Sequence, residues 1–427
     1  MRAFLIFVIL ALMIVMQSCV PIRDAGEVNG APTNDLPENY KALNYENVKA
    51  MWLSQYDLLP IYTDGGVQRA EQDFRKRIKD ILENVRALGI NTIFVQVRPF
   101  ADSFYPSEIY PVSSYVSGGY GNGISYDPFA IILEEGHLLG LSVHAWINPL
   151  RAMREAEIVS VSDAFKIKEW YNDPTRKGRY IVSVSERWYL NPAYEEVRAL
   201  VASGVSEIVR LYDVDGIHID DYFYPTTDES FDAHSYGRYR EGGGVLSLAD
   251  FRRENINSLI KELYSAVKSE NETVLFGVSP AGNMKNNYNE LYADVALWCA
   301  SEGYIDYLCP QIYFGFEHSI CSFDKLCREF SEMIKADGVK LIFGMSLGKA
   351  KSGYDQYAGS GKYEWRDNKD ILYRQLKYTE TVENCSGVSY FSYQYFYDVL
   401  TGERVEETAA ETDKLKSLLK TITWSEK

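Results

Sequence analysis

Side chains that can do chemistry alternate with apolar residues in several short segments of this chain. In the run Gly216–Asp220, His218 and Asp220 alternate with two isoleucines. Successive side chains of a β-strand point to opposite faces, so a strand here would place the imidazole and the carboxylate on one face. Asp221 follows directly, and strand alternation points it the other way. An earlier turn would instead bring both acids to one side, where their repulsion raises the pKa of one of them.

Three further segments repeat this alternation of polar and apolar residues. The side chains predicted to face the same way as His218 and Asp220 are Gln96 and Arg98, His144, Trp146 and Asn148, and Gln311 and Tyr313. Together they offer carboxylate, imidazole, amide and guanidinium groups. Burying such groups is unfavourable unless they find partners or a use. Their convergence is therefore the strongest functional signal in the chain.

The elements that would position these residues alternate between strand and helix eight times. The strand-like runs are Ala50–Leu53, Thr92–Arg98, Ser142–Asn148, Gly216–Tyr222, Leu275–Pro280, Tyr307–Tyr313, Leu341–Leu347 and Val388–Tyr395. This repetition predicts a parallel (β/α)8 TIM barrel with extended βα loops, whose active site lies at the C-terminal ends of the strands. A doubly wound sheet is the alternative, but no glycine-rich phosphate loop follows the first strand.

The N-terminus is predicted to be a targeting segment. An apolar run from Phe4 to Met16 is too short to span a membrane and is typical of a signal peptide. Ser18-Cys19 resembles a bacterial lipobox, so residues 1–18 would be removed and Cys19 lipidated. The alternative is an ordinary secretory peptide with an incidental cysteine.

Three regions follow from this interpretation: a signal peptide over 1–18, a flexible tether over 19–44, and a barrel over 45–427. The tether is rich in Pro, Asn, Gly and acidic residues and shows no periodicity. A lipid-anchored protein of the bacterial cell envelope is expected, at the outer membrane or the cell surface.

The composition excludes several classes of protein. The chain has 427 residues, with 44 Lys and Arg against 60 Asp and Glu, a net charge of −16. This charge argues against nucleic-acid binding. The five histidines show no metal-ligand spacing, and the five cysteines after Cys19 form no C-x-x-C pair. No metal or other cofactor is therefore expected, and buried thiols are favoured over disulfides. The 33 tyrosines suit a surface that binds sugars.

Longer sequence blocks resemble the glycosyl-hydrolase-like 10 family of bacterial envelope lipoproteins. The blocks are Val97–Pro99 with Phe104–Tyr105, Ser142–Arg151, Val214–Pro225, Phe276–Gly282 and Asp306–Tyr313. The resemblance runs from about Met51 to beyond Tyr395. It implies a (β/α)8 barrel related to retaining glycosidases, and cleavage of peptidoglycan glycan strands stripped of stem peptides. The loop Pro280–Met284 departs from the family pattern, because it carries no acid or aromatic ring.

Glycoside hydrolysis requires two carboxyl groups, one protonated and one ionised. Asp220 is the candidate for the ionised group, and the resemblance strengthens this choice because related barrel glycosidases carry a carboxylate nucleophile at the end of the fourth strand. Asp221 is a further catalytic candidate, with a helix-side or loop-capping acid as the alternative. The candidates for the protonated acid are Glu317 and Asp102, and more distantly Glu108 and Asp57. For each of these, a solvated loop carboxylate is the alternative.

The remaining polar and aromatic residues are candidates for binding the glycan. They are Arg98, Gln96, Tyr105, His144, Trp146, Asn148, His218, Tyr222, Gln311 and Tyr313, with Tyr224 as a further ring. Arg98 would pair with Asp220 or with a sugar carboxylate such as that of a muramic lactyl group. His144 and His218 would bind sugar hydroxyls or orient Asp220, unless they are core histidines.

A monomeric envelope glycosidase is therefore predicted, with a glycan substrate and the membrane as its partners. Two alternatives stay open: a non-catalytic glycan-binding lipoprotein, and a hydrolase of another polysaccharide.

Overall fold

The computed structural model describes residues 40–424, in which eight parallel strands close into a barrel. The strands are β1 (Val48–Leu53), β2 (Thr92–Arg98), β3 (Ser142–Ile147), β4 (Gly216–Ile219), β5 (Leu275–Val278), β6 (Tyr307–Leu308), β7 (Lys340–Ser346) and β8 (Cys385–Phe391). They neighbour one another in chain order, and β1 closes the barrel by pairing with both β2 and β8. The predicted (β/α)8 barrel is confirmed.

A helix follows each strand and packs on the outside of the barrel. The helices are α1 (Glu71–Ala87), α2 (Pro128–Leu138), α3 (Glu195–Leu211), α4 (Leu248–Glu270), α5 (Val295–Ala300), α6 (Phe323–Met333), α7 (Ile371–Thr379) and α8 (Ala409–Leu419). The start of α2 shows the local cause: Pro128 opens the helix, and the Asp127 carboxylate accepts from the backbone N–H groups of Phe129 and Ala130.

The loops at the C-terminal ends of the strands carry additional elements. Short helices lie at Gln55–Tyr62, Ser114–Ser117, Lys166–Asn172, Ala233–Glu241, Met284–Asn289, Gly348–Ser352 and Glu364–Asp367. A two-stranded sheet pairs Thr63–Asp64 with Val67–Gln68. After β3, the strands Arg151–Arg154, Ile181–Val184 and Arg187–Leu190 form an antiparallel sheet, called here the β3 insertion.

Large rings fill the barrel interior because two strands carry glycine opposite them. A Cβ atom on Gly216 of β4 would lie 2.3 Å from Nδ1 of His144. A Cβ atom on Gly277 of β5 would lie 2.0 Å from Cζ of Tyr307. The space that these glycines leave therefore admits the imidazole and the phenol.

The strand pattern differs from the predicted one at several places close to the mouth of the barrel, and three of them bear on the site. β4 ends at Ile219, three residues before the predicted end, and β6 has only two residues. In β2, the register against β3 shifts between Gln96 and Arg98. Such a bulge reverses the side-chain direction expected from simple alternation.

The segment 40–44 is bonded to the opposite end of the barrel from the mouth. The Tyr40 hydroxyl and the backbone N–H of Leu43 both donate to the carboxylate of Asp215, which directly precedes β4. The backbone N–H of Ala42 donates to the Thr273 hydroxyl. The predicted tether is thus wrong over residues 40–44. The signal peptide, Cys19 and the tether up to residue 39 lie outside the described residues.

Within residues 40–424, no helix is both long and apolar enough to cross a membrane. Cys299, Cys309, Cys321, Cys327 and Cys385 are all buried and free, as predicted.

Candidate functional site

A cavity of about 310 Å³ opens at the C-terminal ends of the strands. Its lining includes seven side chains predicted from the sequence: Gln96, Trp146, Asp220, Asp221, Tyr222, Gln311 and Tyr313. It also includes seven that were not predicted: Trp52, Ser54, Gln55, Tyr56, Arg151, Leu291 and Phe391. This mouth cavity combines two carboxyl groups, amides and a guanidinium with aromatic rings.

Asp220 is held by three hydrogen-bond donors. The residue is buried, with an exposed fraction of 3%. One carboxylate oxygen accepts from Nδ2 of Asn148 at 2.5 Å and from Nε1 of Trp146 at 3.1 Å, and the other accepts from the backbone N–H of Tyr222 at 3.2 Å. Donors of this kind stabilise the ionised form of a carboxyl group and fix its orientation.

A chain of amides determines which end of Asn148 meets Asp220. The backbone N–H of Gln55 donates to Oε1 of Gln96 at 2.8 Å, so the amide nitrogen of Gln96 points the other way. That nitrogen donates to Oδ1 of Asn148 at 2.7 Å, which leaves Nδ2 of Asn148 for Asp220. Asn148 is itself buried. It therefore positions Asp220, and the prediction that it binds substrate is corrected.

Asp221 also faces the mouth cavity, where Nε2 of Gln311 donates to its carboxylate at 3.2 Å. The same nitrogen donates to the carbonyl oxygen of Ser279 at 3.0 Å, which holds the amide in place. Strand alternation pointed Asp221 away from Asp220. Because β4 ends at Ile219, the chain has already turned, and the two adjacent carboxyls share one cavity.

The surroundings shift the titration of both acids in the same direction. Burial raises the pKa of Asp220 and that of Asp221 above the usual 3.8, and the negative charge of Asp221 raises the pKa of Asp220 further. The hydrogen bonds from Tyr222 and Trp146 and the charge of Arg151 oppose this rise. Two carboxylates in one cavity repel each other, so the pair releases its protons in separate steps.

Aromatic rings form the apolar part of the cavity. Tyr313 stacks on Phe391 with ring centres 5.7 Å apart, and its ring meets Trp52 edge-on at 6.3 Å. Tyr222 is 43% exposed at the rim. Flat apolar faces beside hydrogen-bonding groups suit the alternating C–H and O–H surface of a sugar.

The model of the family described as "Glycosyl hydrolase-like 10" matches residues 47–358. The chain belongs to this family.

Two curated relatives agree with this assignment. "Glycosyl hydrolase YngK" of Bacillus subtilis (strain 168) is 30% identical over 375 residues, covering 84% of this chain and 70% of the relative. "Glycosyl hydrolase DigH" of Escherichia coli (strain K12) is 29% identical over 429 residues, covering 93% and 94%.

Solved structures share the fold of this glycosyl hydrolase-like 10 barrel at low sequence identity. The glycoside hydrolase domain of PgaB (BpsB) from Bordetella bronchiseptica superposes with a TM-score of 0.56 at 12% identity, covering 88% of this chain and 99% of that domain. The catalytic domain of β-amylase from Paenibacillus polymyxa superposes with a TM-score of 0.52 at 10% identity, covering 87% and 98%.

Two histidines predicted to face the mouth lie deeper in the glycosyl hydrolase-like 10 barrel. His218 accepts from Nε1 of Trp52 at 3.2 Å, so its other nitrogen carries the proton that meets the Tyr307 hydroxyl at 3.0 Å. That hydroxyl also lies 2.9 Å from Nδ1 of His144, whose second nitrogen lies 3.2 Å from the Ser142 hydroxyl. Burial lowers the pKa of both histidines, that of His144 to about 4. They are neutral core residues, so the prediction that they bind sugar hydroxyls or orient Asp220 is wrong.

Arg98 and Tyr105 do not reach the cavity either. The bulge in β2 turns Arg98 outward, where its guanidinium carbon lies 4.5 Å from the centre of the Tyr110 ring. A Cβ atom on Gly204 of α3 would come within 2.1 Å of this guanidinium, so the helix closes over it. Tyr105 is buried against Tyr212, with ring centres 5.5 Å apart. Neither residue can bind a glycan in the mouth.

Two predicted acids are also placed elsewhere. Asp102 is fully buried, where it accepts from the backbone N–H of Phe100 and from the Tyr120 hydroxyl, and burial raises its pKa to about 6. Glu317 is exposed on the loop after β6, and its backbone N–H donates to Glu364. Among the described residues, only Asp220 and Asp221 bring carboxyl groups to the mouth cavity.

The two more distant candidates for the acid, Asp57 and Glu108, also do not line the mouth cavity. Asp57 caps the helix Gln55–Tyr62 through Ser54, and Glu108 is exposed on the loop after β2. Tyr224 is buried against Phe231.

Some lining residues could have been found from the sequence. Alternation within β1 places Ala50 and Trp52 on one face, inside the barrel with Phe94. Arg151 is the last residue of the family-like sequence block Ser142–Arg151, but only the fold of the β3 insertion shows that its side chain lines the cavity. No group of three or more His, Cys, Asp or Glu side chains within residues 40–424 is arranged to hold a metal ion.

Proposed function

We propose that this protein is a glycosidase that uses Asp220 and Asp221 as its two carboxyl groups. The observation that carries the proposal is their placement: adjacent acids with different hydrogen-bond donors share one aromatic cavity at the mouth of the barrel. Active sites of (β/α)8 enzymes lie at this end of the strands.

The two acids would have different roles. Asp220 has three donors from Trp146, Asn148 and the Tyr222 backbone, and these favour its ionised form. Asp221 has one side-chain donor, Gln311, so the number of donors favours leaving the shared proton on Asp221. This assignment gives the three donors of Asp220 more weight than its burial and the charge of Asp221, both of which raise the pKa of Asp220. Asp221 then protonates the leaving oxygen as the C–O bond breaks, while Asp220 stabilises or attacks the anomeric carbon. A water molecule then adds its hydroxyl group to the anomeric carbon, displacing Asp220 if a bond to it has formed, and the proton of the water returns to Asp221.

We further propose that the substrate is a peptidoglycan glycan strand stripped of its stem peptides. Support comes from the motif blocks that resemble envelope lipoproteins with this activity, and from the predicted lipid anchor at Cys19. An open cavity lined by rings such as Tyr222 and Tyr313 is compatible with a long glycan chain.

Incubation of the detergent-purified full-length protein with defined glycans tests this function. The substrates are intact peptidoglycan, peptidoglycan stripped with an amidase, and unrelated polysaccharides, with products analysed by mass spectrometry. We expect new reducing ends from the stripped strands and none with Asp220→Asn. Binding without any product would indicate a glycan-binding protein, and cleavage of another polysaccharide alone would refute the proposed substrate.

A further inference from the structure

Arg151 brings an unpaired positive charge into the mouth cavity. It lines the cavity together with Asp220 and Asp221. Among residues 40–424, its guanidinium group forms neither an ion pair nor a hydrogen bond, and its Nε atom is buried without a partner. A buried donor with no acceptor is unfavourable, so such a group is expected to meet an acceptor from a ligand.

Two aromatic rings hold the guanidinium group of Arg151 in place. Its central carbon lies 4.5 Å from the centre of the Tyr222 ring and 4.9 Å from that of Phe100. Contacts of this type use the flat face of the guanidinium and leave the N–H groups at its edge free. The edge can then donate two parallel hydrogen bonds to a planar anion.

A second guanidinium lies near that of Arg151, where the charges of Arg151 and Glu157 both act on it. Arg187 of the β3 insertion lies 4.5 Å from the centre of the same Phe100 ring, and it forms no ion pair within the described chain. Its Nη1 donates to the carbonyl oxygen of Ala152. Of the two arginines against the Phe100 ring, Arg187 is thus held by the backbone, and within the described residues Arg151 is the one left without a hydrogen-bond acceptor.

Asp220 is not the natural partner of Arg151. Its oxygens are already occupied by donors from Trp146, Asn148 and the Tyr222 backbone, and no ion pair joins it to Arg151. The guanidinium is thus available to a group that enters with the substrate.

We propose that Arg151 binds a carboxylate carried by the glycan, on a sugar in the mouth cavity beside the bond that is cleaved. The inference rests on the proposed function, because it requires a glycan in this cavity. The carboxylate could belong to a lactyl ether substituent or to a uronic acid. A stem peptide converts a lactyl carboxylate into an amide, so this contact would distinguish stripped strands from intact ones.

Binding measurements on Asp220→Asn protein test the contact without turnover. The ligands are a stripped oligosaccharide with free lactyl carboxylates, the same oligosaccharide with its carboxylates converted to methylamides, and an oligouronide. We expect the carboxylate form to bind about ten- to a hundredfold more tightly than the methylamide form, the range for a charge-assisted hydrogen bond. Arg151→Gln in the same background should remove this preference, and Arg151→Lys should keep part of it because the bidentate geometry is lost.

Arg154→Gln is the matched control, because it removes one positive charge from an exposed residue of the same strand that does not line the cavity. It should keep the preference for the carboxylate. A preference for the oligouronide that depends on Arg151 would support the carboxylate contact and assign it to a uronic acid.

The proposal is overturned if the carboxylate and methylamide forms bind equally, if neither binds, or if Arg151→Gln keeps the preference. The comparison of ligands needs no variant of Arg151, so a folding defect cannot hide the answer. Carboxylate preference without cleavage by the native enzyme would refute the glycosidase function and leave the Arg151 contact standing.

Discussion

At the level of single residues, Asp220 is expected to show the largest effect on activity. Asparagine is nearly isosteric and still accepts from Asn148, but it carries no negative charge. Asp220→Asn should lower kcat by about a thousandfold or more, which corresponds to at least about 4 kcal/mol of transition-state stabilisation. Glycan affinity and thermal unfolding should change little. Asp102→Asn is the control, since its side chain is buried away from the cavity, and it should keep activity.

Asp221→Asn tests the assignment of the acid. An acid that protonates the leaving oxygen matters most when that oxygen is a poor leaving group. We expect a large loss of turnover with the natural glycan and a much smaller loss with an aryl glycoside whose phenol leaves readily. Equal losses with both substrates, or none with either, would show that Asp221 does not act as the acid.

The pH dependence of kcat/KM should be bell-shaped. As the pH falls below the lower pKa of the pair, Asp220 becomes protonated and its charge is lost. As the pH rises above the higher pKa, Asp221 loses the proton that the leaving oxygen needs. Because burial raises both pKa values, each limb should lie above the usual carboxyl value of 3.8. Asp221→Asn should remove the alkaline limb, since the proton lost there belongs to Asp221, and leave the acidic limb in place, because Asp221 is already uncharged where Asp220 titrates. An alkaline limb that persists in the residual activity would contradict this assignment.

At the level of elements, the interior of the barrel depends on glycine in β5. Gly277→Ala would place a methyl group 2.0 Å from Cζ of Tyr307, so the ring that contacts both histidines must shift. Overpacking of this kind destabilises a protein by about 1–3 kcal/mol, measurable by chemical denaturation. Gly237→Ala is the control, because Gly237 lies in the helix Ala233–Glu241 and an added methyl group there would have no atom within 4 Å. It should raise stability by up to about 1 kcal/mol; equal effects of both changes would contradict the tight packing.

At the level of the whole molecule, the described chain enters the barrel on the face opposite the mouth, where Tyr40 and Leu43 donate to Asp215. We propose that a lipid on Cys19 attaches the protein to the membrane from this side. Cys19→Ala should therefore move the protein from the membrane fraction to the soluble fraction of disrupted cells. If the variant sediments with membranes as firmly as the parent, the anchor lies elsewhere.

Local sequence patterns determined most of the fold. Alternation of β-branched residues with polar ones placed β2 at Thr92–Arg98, and the eightfold alternation of strand and helix predicted the (β/α)8 barrel. These patterns act over one turn or one strand, so they are visible in the sequence. The same alternation predicted that Asp220, Trp146 and Gln311 face the inside of the barrel, and all three line the mouth cavity.

Only the tertiary structure decided which neighbouring residues complete the site. The shift between β2 and β3 turned Arg98 toward α3, and the early end of β4 brought Asp221 beside Asp220. The β3 insertion placed Arg151 in the cavity, where no strand pattern could have put it. Bulges, strand ends and inserted sheets depend on pairing between segments far apart in the chain. A pattern read along one segment does not contain that pairing.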